Sequence, residues 1–272
     1  MRIKVGYELV YDCPQPTPMM LMLSVHPSRA NDLLVPDSMQ TDPAVPIGHY
    51  VDGFGNICSR LVAPPGRLRI FASGVVQDSG AVETQDLTLP QVPVEALPDE
   101  CLVFLLGSRY CETDRLSEEA WRLFGNGPTG GARVQAICDW VHNHIGFDYQ
   151  QARPTRTAAE AHGERQGVCR DFAPLAVAFC RAMNIPARYC TGYLGDIGVP
   201  VTGPMDFAAW FEAYIGGQWV TFDPRNNQRR IGRILIARGR DAADVAITNT
   251  FGPNFLAGFT VVTDEIKEPA TA

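Results

Sequence analysis

The chain has 272 residues, 46% of them hydrophobic and 19% charged, which suits one large or two ordinary globular domains and excludes a disordered composition. Its formal net charge of −7 comes without any long run of Lys or Arg, so the broad attraction for phosphates that nucleic-acid binding relies on is missing and no nucleic-acid partner is expected. No stretch approaches the roughly 20 consecutive apolar residues of a membrane span, and the opening MRIKVGYELVYDCPQPTPMM lacks the apolar stretch of a signal peptide; a cytoplasmic location and no membrane partner are expected.

From residue 1 to about 105, short runs rich in Val, Leu, Ile and Phe (YELVY, MMLMLSV, LRIFASGVV, CLVFLL) alternate with Pro, Gly and Asp/Asn breaks, the pattern of a β-rich module. LPQVPVEALPDE carries three prolines in twelve residues and reads as an extended connector. A boundary is therefore expected near residue 105, with a β-rich domain over 1–105 and a core domain over 106–272. Ser117 offers an N-cap, and Leu116 a staple onto Trp121, for a short helix that Gly125 and Pro128 end. In GGARVQAICDWVHNHIG the residues Val134, Ile137, Cys138, Val141 and Ile145 step by three and four, predicting a helix with one buried stripe that Gly146 stops. A third helix is predicted after Thr157, whose T-A-A-E sequence has the form of a capping box with Glu160.

VCRDFAPLAVAFCRAMNIP keeps the helical period through Phe172, Leu175, Ala176, Phe179 and Met183, which puts Cys169 at a helix N-terminus. Pro174, inside this helix, predicts a local kink or a late start. Beyond it, ARYCTGYLG, AAWFEAYI and QWVTFDP have a period of two, the last two joined by the hairpin pair Gly216-Gly217. NFLAGFTVVTDEI adds one more strand, and KEPATA is a polar tail expected to fray. The expected fold class is α+β: the Cys169 helix packed on an antiparallel sheet, preceded by a β-rich N-terminal domain.

The eight cysteines (Cys13, Cys58, Cys101, Cys111, Cys138, Cys169, Cys180 and Cys190) are scattered without a C-x-x-C pair, so most read as buried, reduced, small apolar residues, with neither a metal site nor a cofactor implied. The chemical signal lies elsewhere, in three motifs in fixed order: G-V-C-R-D-F-A at a helix start, A-W-F-E on a strand, and W-V-T-F-D-P on the second arm of the hairpin. Thiol acyl transfer needs a thiolate, an imidazole to carry protons and a carboxylate to orient it. A helix N-terminus lowers a thiol's pKa, so Cys169 stands where a nucleophile is activated.

Each residue also has a plainer reading. Cys169 taken alone is a buried structural thiol, Asp223 a turn aspartate before Pro224, and Trp210 and Trp219 core or groove-wall residues. Asp171, Asp206 and Glu212 read as solvated or hairpin-pairing carboxylates, and a carboxylate could act as a weak substitute base. His142 and His144 are two apart, which suits helix-end positions better than the i, i+4 spacing of a helical metal pair. His162 precedes Cys169 by seven residues, near enough along the chain to reach it.

Taken together, the motifs resemble those of the bacterial transglutaminase-like family of papain-type thiol enzymes, which show G-x-C-x-D-x-A, then H-A-W-x-E, then W-x-x-F-D-P. The resemblance covers about residues 138 to 230 and implies a papain-like core, Cys169 as nucleophile, Asp223 as the orienting carboxylate and a peptide or protein substrate. Aligning Ala209, Trp210 and Glu212 with A-W-x-E places Ala208 on the catalytic histidine, fifteen residues before Asp223. All five histidines (His26, His49, His142, His144 and His162) precede Cys169, so no shift of the alignment restores the imidazole. The resemblance also points to an aromatic upstream of the cysteine as an oxyanion donor, which falls on Tyr149.

Two functions stay open on this reading. One is a thiol acyl hydrolase or transferase, of the cysteine peptidase or amidase type, working through an acyl-Cys169 intermediate with an incomplete triad. The other is a pseudoenzyme that keeps the cleft to bind peptide or protein. Loss of the imidazole penalises protonation of an amide nitrogen more than thiol attack, so amide cleavage suffers more than cleavage of an activated ester.

Overall fold

The alternation of apolar residues in the N-terminal third produces seven strands: β1 (Arg2–Cys13), β2 (Thr17–Leu21), β3 (Leu33–Val35), β4 (Gln40–Asp42), β5 (Gly48–Val51), β6 (Ile57–Ala63) and β7 (Gly66–Gln77). A computed structural model describes residues 1–201, 203 and 205–267, so the end of the polar tail, 268–272, lies outside the described residues. After the proline-rich connector come α1 (Asp99–Leu102), α2 (Thr113–Phe124), α3 (Gly130–His144), the two-residue strand β8 (Gly146–Phe147), α4 (Ala158–Glu164), its short partner β9 (Gln166–Gly167), and α5 (Cys169–Ala182). The chain then forms β10 (Ala187–Tyr193), β11 (Ala208–Ile215), β12 (Gln218–Phe222), β13 (Ile234–Gly239), β14 (Thr248–Thr250) and β15 (Phe255–Glu265).

The architecture is α+β as expected. An antiparallel sheet in the order β12-β11-β10-β13 backs α5, and Gly216 and Gly217 turn the β11–β12 hairpin with φ of 58° and 79°, the left-handed values such a two-residue turn requires. Phe172, Leu175 and Phe179 of α5 pack with Phe211, Ala213 and Ile215 of β11 and with Val134, Ile137 and Val141 of α3 in one buried cluster. The Thr157 capping box forms as its T-A-A-E sequence implies, with Glu160 Oε2 accepting from the Thr157 amide at 3.0 Å.

Two sequence expectations change, and one strand that forms as expected finds its partner. Helix α2 starts at Thr113, so Ser117 lies inside it rather than capping it; Leu116 is buried while Trp121 sits on the surface. Helix α5 begins at Cys169 and runs unbroken across Pro174, which stands in the second turn, where only one amide is lost to the ring. The strand over NFLAGFTVVTDEI exists, but it pairs antiparallel with β1, as β14 pairs with β2. Residues 248–265 thus complete the two N-terminal sheets, β15-β1-β7-β3 and β14-β2-β6-β5, although a division at residue 105 groups them with the core.

This return fixes the second face of the central sheet. Tyr189, Tyr193, Ile234 and Ile236 from β10 and β13 share a buried cluster with Val5, Tyr7 and Leu9 of β1. Both faces of the sheet that presents the site are covered, one by α5 and the other by the β-rich module. Among the described residues no helix is long and apolar enough to cross a membrane.

Candidate functional site

The motif G-V-C-R-D first spells a helix start. Asp171, the third helical residue, accepts the Val168 amide at 2.9 Å, and its Oδ2 also pairs with Arg156 Nη1 at 3.0 Å. Both partners are buried, so Asp171 is a structural carboxylate and not the solvated one its sequence context implied. Its carboxyl is raised by burial, against the pull of the Val168 amide and Arg156. Gly167 is needed beside it: a Cβ there would stand 2.7 Å from the Asp171 carboxylate. The glycine, the aspartate and Arg156 together hold Cys169 at the first position of α5.

The Cys169 sulfur meets the start of β11. It lies 3.9 Å from the Phe207 carbonyl, and the Ala209 amide is near enough to favour its thiolate. Ala208, between these two residues, therefore stands at the thiol, and both line a cavity of about 370 Å³ together with Tyr149, Asp206, Arg225 and Arg230. The thiol is pushed up to about 12, first by burial and then by the neighbouring Asp206 carboxylate, while the Ala209 amide and Arg225 act in the opposite direction. Burial and Asp206 thus reverse the lowering that a helix N-terminus alone would produce.

Asp223 is 7% exposed and lies off the cavity wall. Its Oδ1 accepts the amides of Arg225 and Asn226 at 3.1 and 2.9 Å; its Oδ2 accepts Asn226 Nδ2 at 2.7 Å and Arg233 Nη2 at 3.0 Å. Glu83, between β7 and the proline-rich connector, binds the same Arg233. The turn reading of Asp223 is therefore satisfied in full, and each oxygen already has two donors. His142 braces this turn from α3, its Nδ1 lying 3.1 Å from the Pro224 carbonyl and 3.0 Å from that of Arg225.

The other sequence candidates separate. Tyr149 is 49% exposed on the cavity wall, its phenol raised by burial and by the Asp206 and Cys169 charges. Trp210 is 2% exposed and forms no part of the cavity wall; Arg233 lies over its ring at 4.7 Å, so it is a core residue rather than a groove wall. Glu212 pairs with Arg188. His162 does not line the Cys169 cavity: it stacks with Trp140 and His144 and faces Glu119 at 3.6 Å. None of the five histidines lines the cavity. Sequence reasoning passed over Arg225, Asn226 and Arg230, although R-N-N directly after F-D-P supplies the donors a buried Asp223 needs.

A sequence model of the transglutaminase-like superfamily matches residues 120–224, the segment that contains α3, α5, the central hairpin and Asp223. A crystal structure of a candidate cysteine protease from Cytophaga hutchinsonii is 33% identical, with a TM-score of 0.85 over 100% of this chain and 92% of that one. An uncharacterized protein of Mycobacterium leprae is 27% identical over 256 residues, 90% of each chain, and one of Mycobacterium tuberculosis is 38% identical over 96 residues, 30% of this chain and 29% of that one. With the sequence model, the motif order, the helix-borne cysteine and a 33%-identical relative that covers all of this chain in agreement, the chain belongs to the transglutaminase-like superfamily.

Proposed function

We propose that this protein is a thiol acyl-transfer protein of the cysteine peptidase or amidase type in which the cleft and Cys169 are kept and the proton shuttle is lost, Ala208 standing on the histidine position. In this reading it binds a peptide or protein acyl group in the cytoplasm and forms an acyl-Cys169 linkage only with activated acyl donors, while ordinary peptide amides stay bound and uncleaved. The observation that carries the reading is the wall around the Cys169 sulfur: the Phe207 carbonyl at 3.9 Å, Ala208 and Ala209 lining the same cavity, and no imidazole among the residues of that wall.

Each part of the chemistry follows from those surroundings. The Ala209 amide, with the exposed Tyr149 phenol, supplies donors for an oxyanion. A thiol raised to about 12 is almost wholly protonated at neutral pH, which slows attack, and no imidazole lines the cavity to donate a proton to an amide nitrogen. An aryl ester or thioester leaves without that proton, so it is the substrate class that survives. Eight free cysteines agree with a reducing compartment.

The test is Ala208→His, after its folding is checked. The variant should label with iodoacetamide at pH 7 at least about tenfold faster than wild type and gain Cys169-dependent release from an activated ester, a general base being worth roughly 10²–10⁴-fold. Peptide-amide cleavage by the wild type at enzymic rates, abolished by Cys169→Ala, would sink the reading, because some other group would then be carrying the proton.

A further inference from the structure

The cleft holds one cation whose hydrogen-bonding capacity is largely unspent. Arg225 gives Nη1 to Asn226 Oδ1 at 2.7 Å and lies over the Phe147 ring, 4.4 Å from its centre; among the described residues it makes no ion pair. It lines the same cavity as Cys169 and Tyr149. Beside it Arg230 is 4% exposed. Its Nη1 donates to Asn226 Oδ1 at 3.0 Å, and its Nη2 donates to the Gly195 carbonyl at 2.9 Å and to Asp196 Oδ1 at 3.2 Å. The Arg230 Nε is buried with no hydrogen-bond partner, although the residue lines the cavity. A buried N–H without an acceptor is costly, and in a cavity wall it marks a place for one.

The acidic side chains of the same cavity do not cancel this. Asp196 is bonded to Arg230, and the Asp206 carboxylate accepts the Phe207 amide at 2.7 Å. A guanidinium stacked on an aromatic ring is restricted to a plane, the arrangement that recognises a carboxylate through parallel N–H···O bonds rather than as a diffuse charge. We propose that the Cys169 cleft selects acyl ligands that carry a carboxylate near the acyl carbon, with Arg225 receiving the carboxylate and Arg230 backing it. The proposal rests on the reading of the cavity as an acyl-binding site and specifies its ligand class.

Two alkylating agents test this without any turnover. Iodoacetate and iodoacetamide transfer similar groups to the same sulfur and differ in whether they carry a carboxylate. Labelling of Cys169, followed by mass spectrometry at pH 9 with Cys169→Ser as the blank, should give an iodoacetate-to-iodoacetamide rate ratio about fivefold above that of N-acetylcysteinamide, the gain expected of one opposite charge at contact distance. Arg225→Gln should return the ratio to the small thiol's value, a change in thiolate fraction slowing both reagents alike and leaving the ratio to report the carboxylate contact. On the wild type, N-acetylglycine should slow iodoacetamide labelling and N-acetylglycinamide should not, a measurement that needs no variant to fold. A ratio at or below that of N-acetylcysteinamide, a ratio unmoved by Arg225→Gln, or equal protection by the acid and the amide overturns the proposal. Complete failure of iodoacetamide to reach Cys169 would instead overturn the acyl-cleft reading itself.

Discussion

Asp223 and Asp206 flank the Cys169 cleft, one following β12 and the other preceding β11, and the fold treats their carboxylates in opposite ways. Asp223 has four donors, two of them backbone amides, and an arginine shared with Glu83. Asp206 has the amide of its own neighbour Phe207, at 2.7 Å, and burial raises its carboxyl. The residue that the superfamily motif singles out is thus committed to holding a turn, while the one the motif passes over faces the sulfur and shifts its pKa. A motif position reports ancestry, whereas hydrogen-bond saturation reports what the group is free to do now.

The largest test of this contrast is stability. Asp223→Ala strips Arg233 of a buried partner and leaves two turn amides without an acceptor, so it should cost about 3–5 kcal/mol in urea unfolding. Asp206→Asn should stay within about 1 kcal/mol of wild type. The sign of its pH dependence follows from the raised carboxyl: the folded state keeps its proton longer than the unfolded chain, so stability is present below the ordinary aspartate range and falls as pH rises through the folded value. Asp206→Asn should remove that slope, and equal losses for the two variants would break the contrast.

A smaller effect is expected from α3. His142→Ala removes the ring nitrogen that lies between the Pro224 and Arg225 carbonyls and should cost about 1 kcal/mol, the ordinary net worth of such a hydrogen bond. A loss confined to the measured stability, with the Ala208→His gain in labelling intact, would mark His142 as a brace for the turn and not a participant in the chemistry.

The smallest effect concerns the thiol itself. With Cys169 at about 12, its iodoacetamide labelling rate should climb about tenfold per pH unit from 7 to 10 with no plateau. Asp206→Asn takes a negative charge away from the sulfur, which favours the thiolate and should move the profile to lower pH, raising labelling at pH 8 by roughly threefold. A profile that levels off near pH 8 in the wild type would mean that the sulfur is better stabilised than burial beside Asp206 allows.

Local chemistry made much of the core readable. The 3.6-residue period of α3 and α5, the Thr157 capping box, the Gly216-Gly217 turn and the period-two strands are each decided by neighbours within a few residues, and each forms where its sequence indicates. The juxtaposition of Cys169 with Ala208 was legible too, because motif order on a helix and a strand leaves few ways to pack them.

Other features depended on residues far apart in the chain. That β15 pairs with β1 is a matter of which exposed edge the returning strand meets, and its alternating residues fit either sheet equally well. His162 was near Cys169 in sequence but does not line its cavity, since α4 turns its ring onto Trp140. Whether Asp223 is free to orient an imidazole depends on Asn226 and Arg233, and whether Cys169 is a thiolate depends on burial against β11 and on Asp206. Sequence alone determined the elements and the superfamily motifs, because these rest on local geometry and residue identity. The tertiary structure decided strand partners, hydrogen-bond saturation and the thiol's protonation, because those are set by solvent exclusion and by groups that only folding brings within reach.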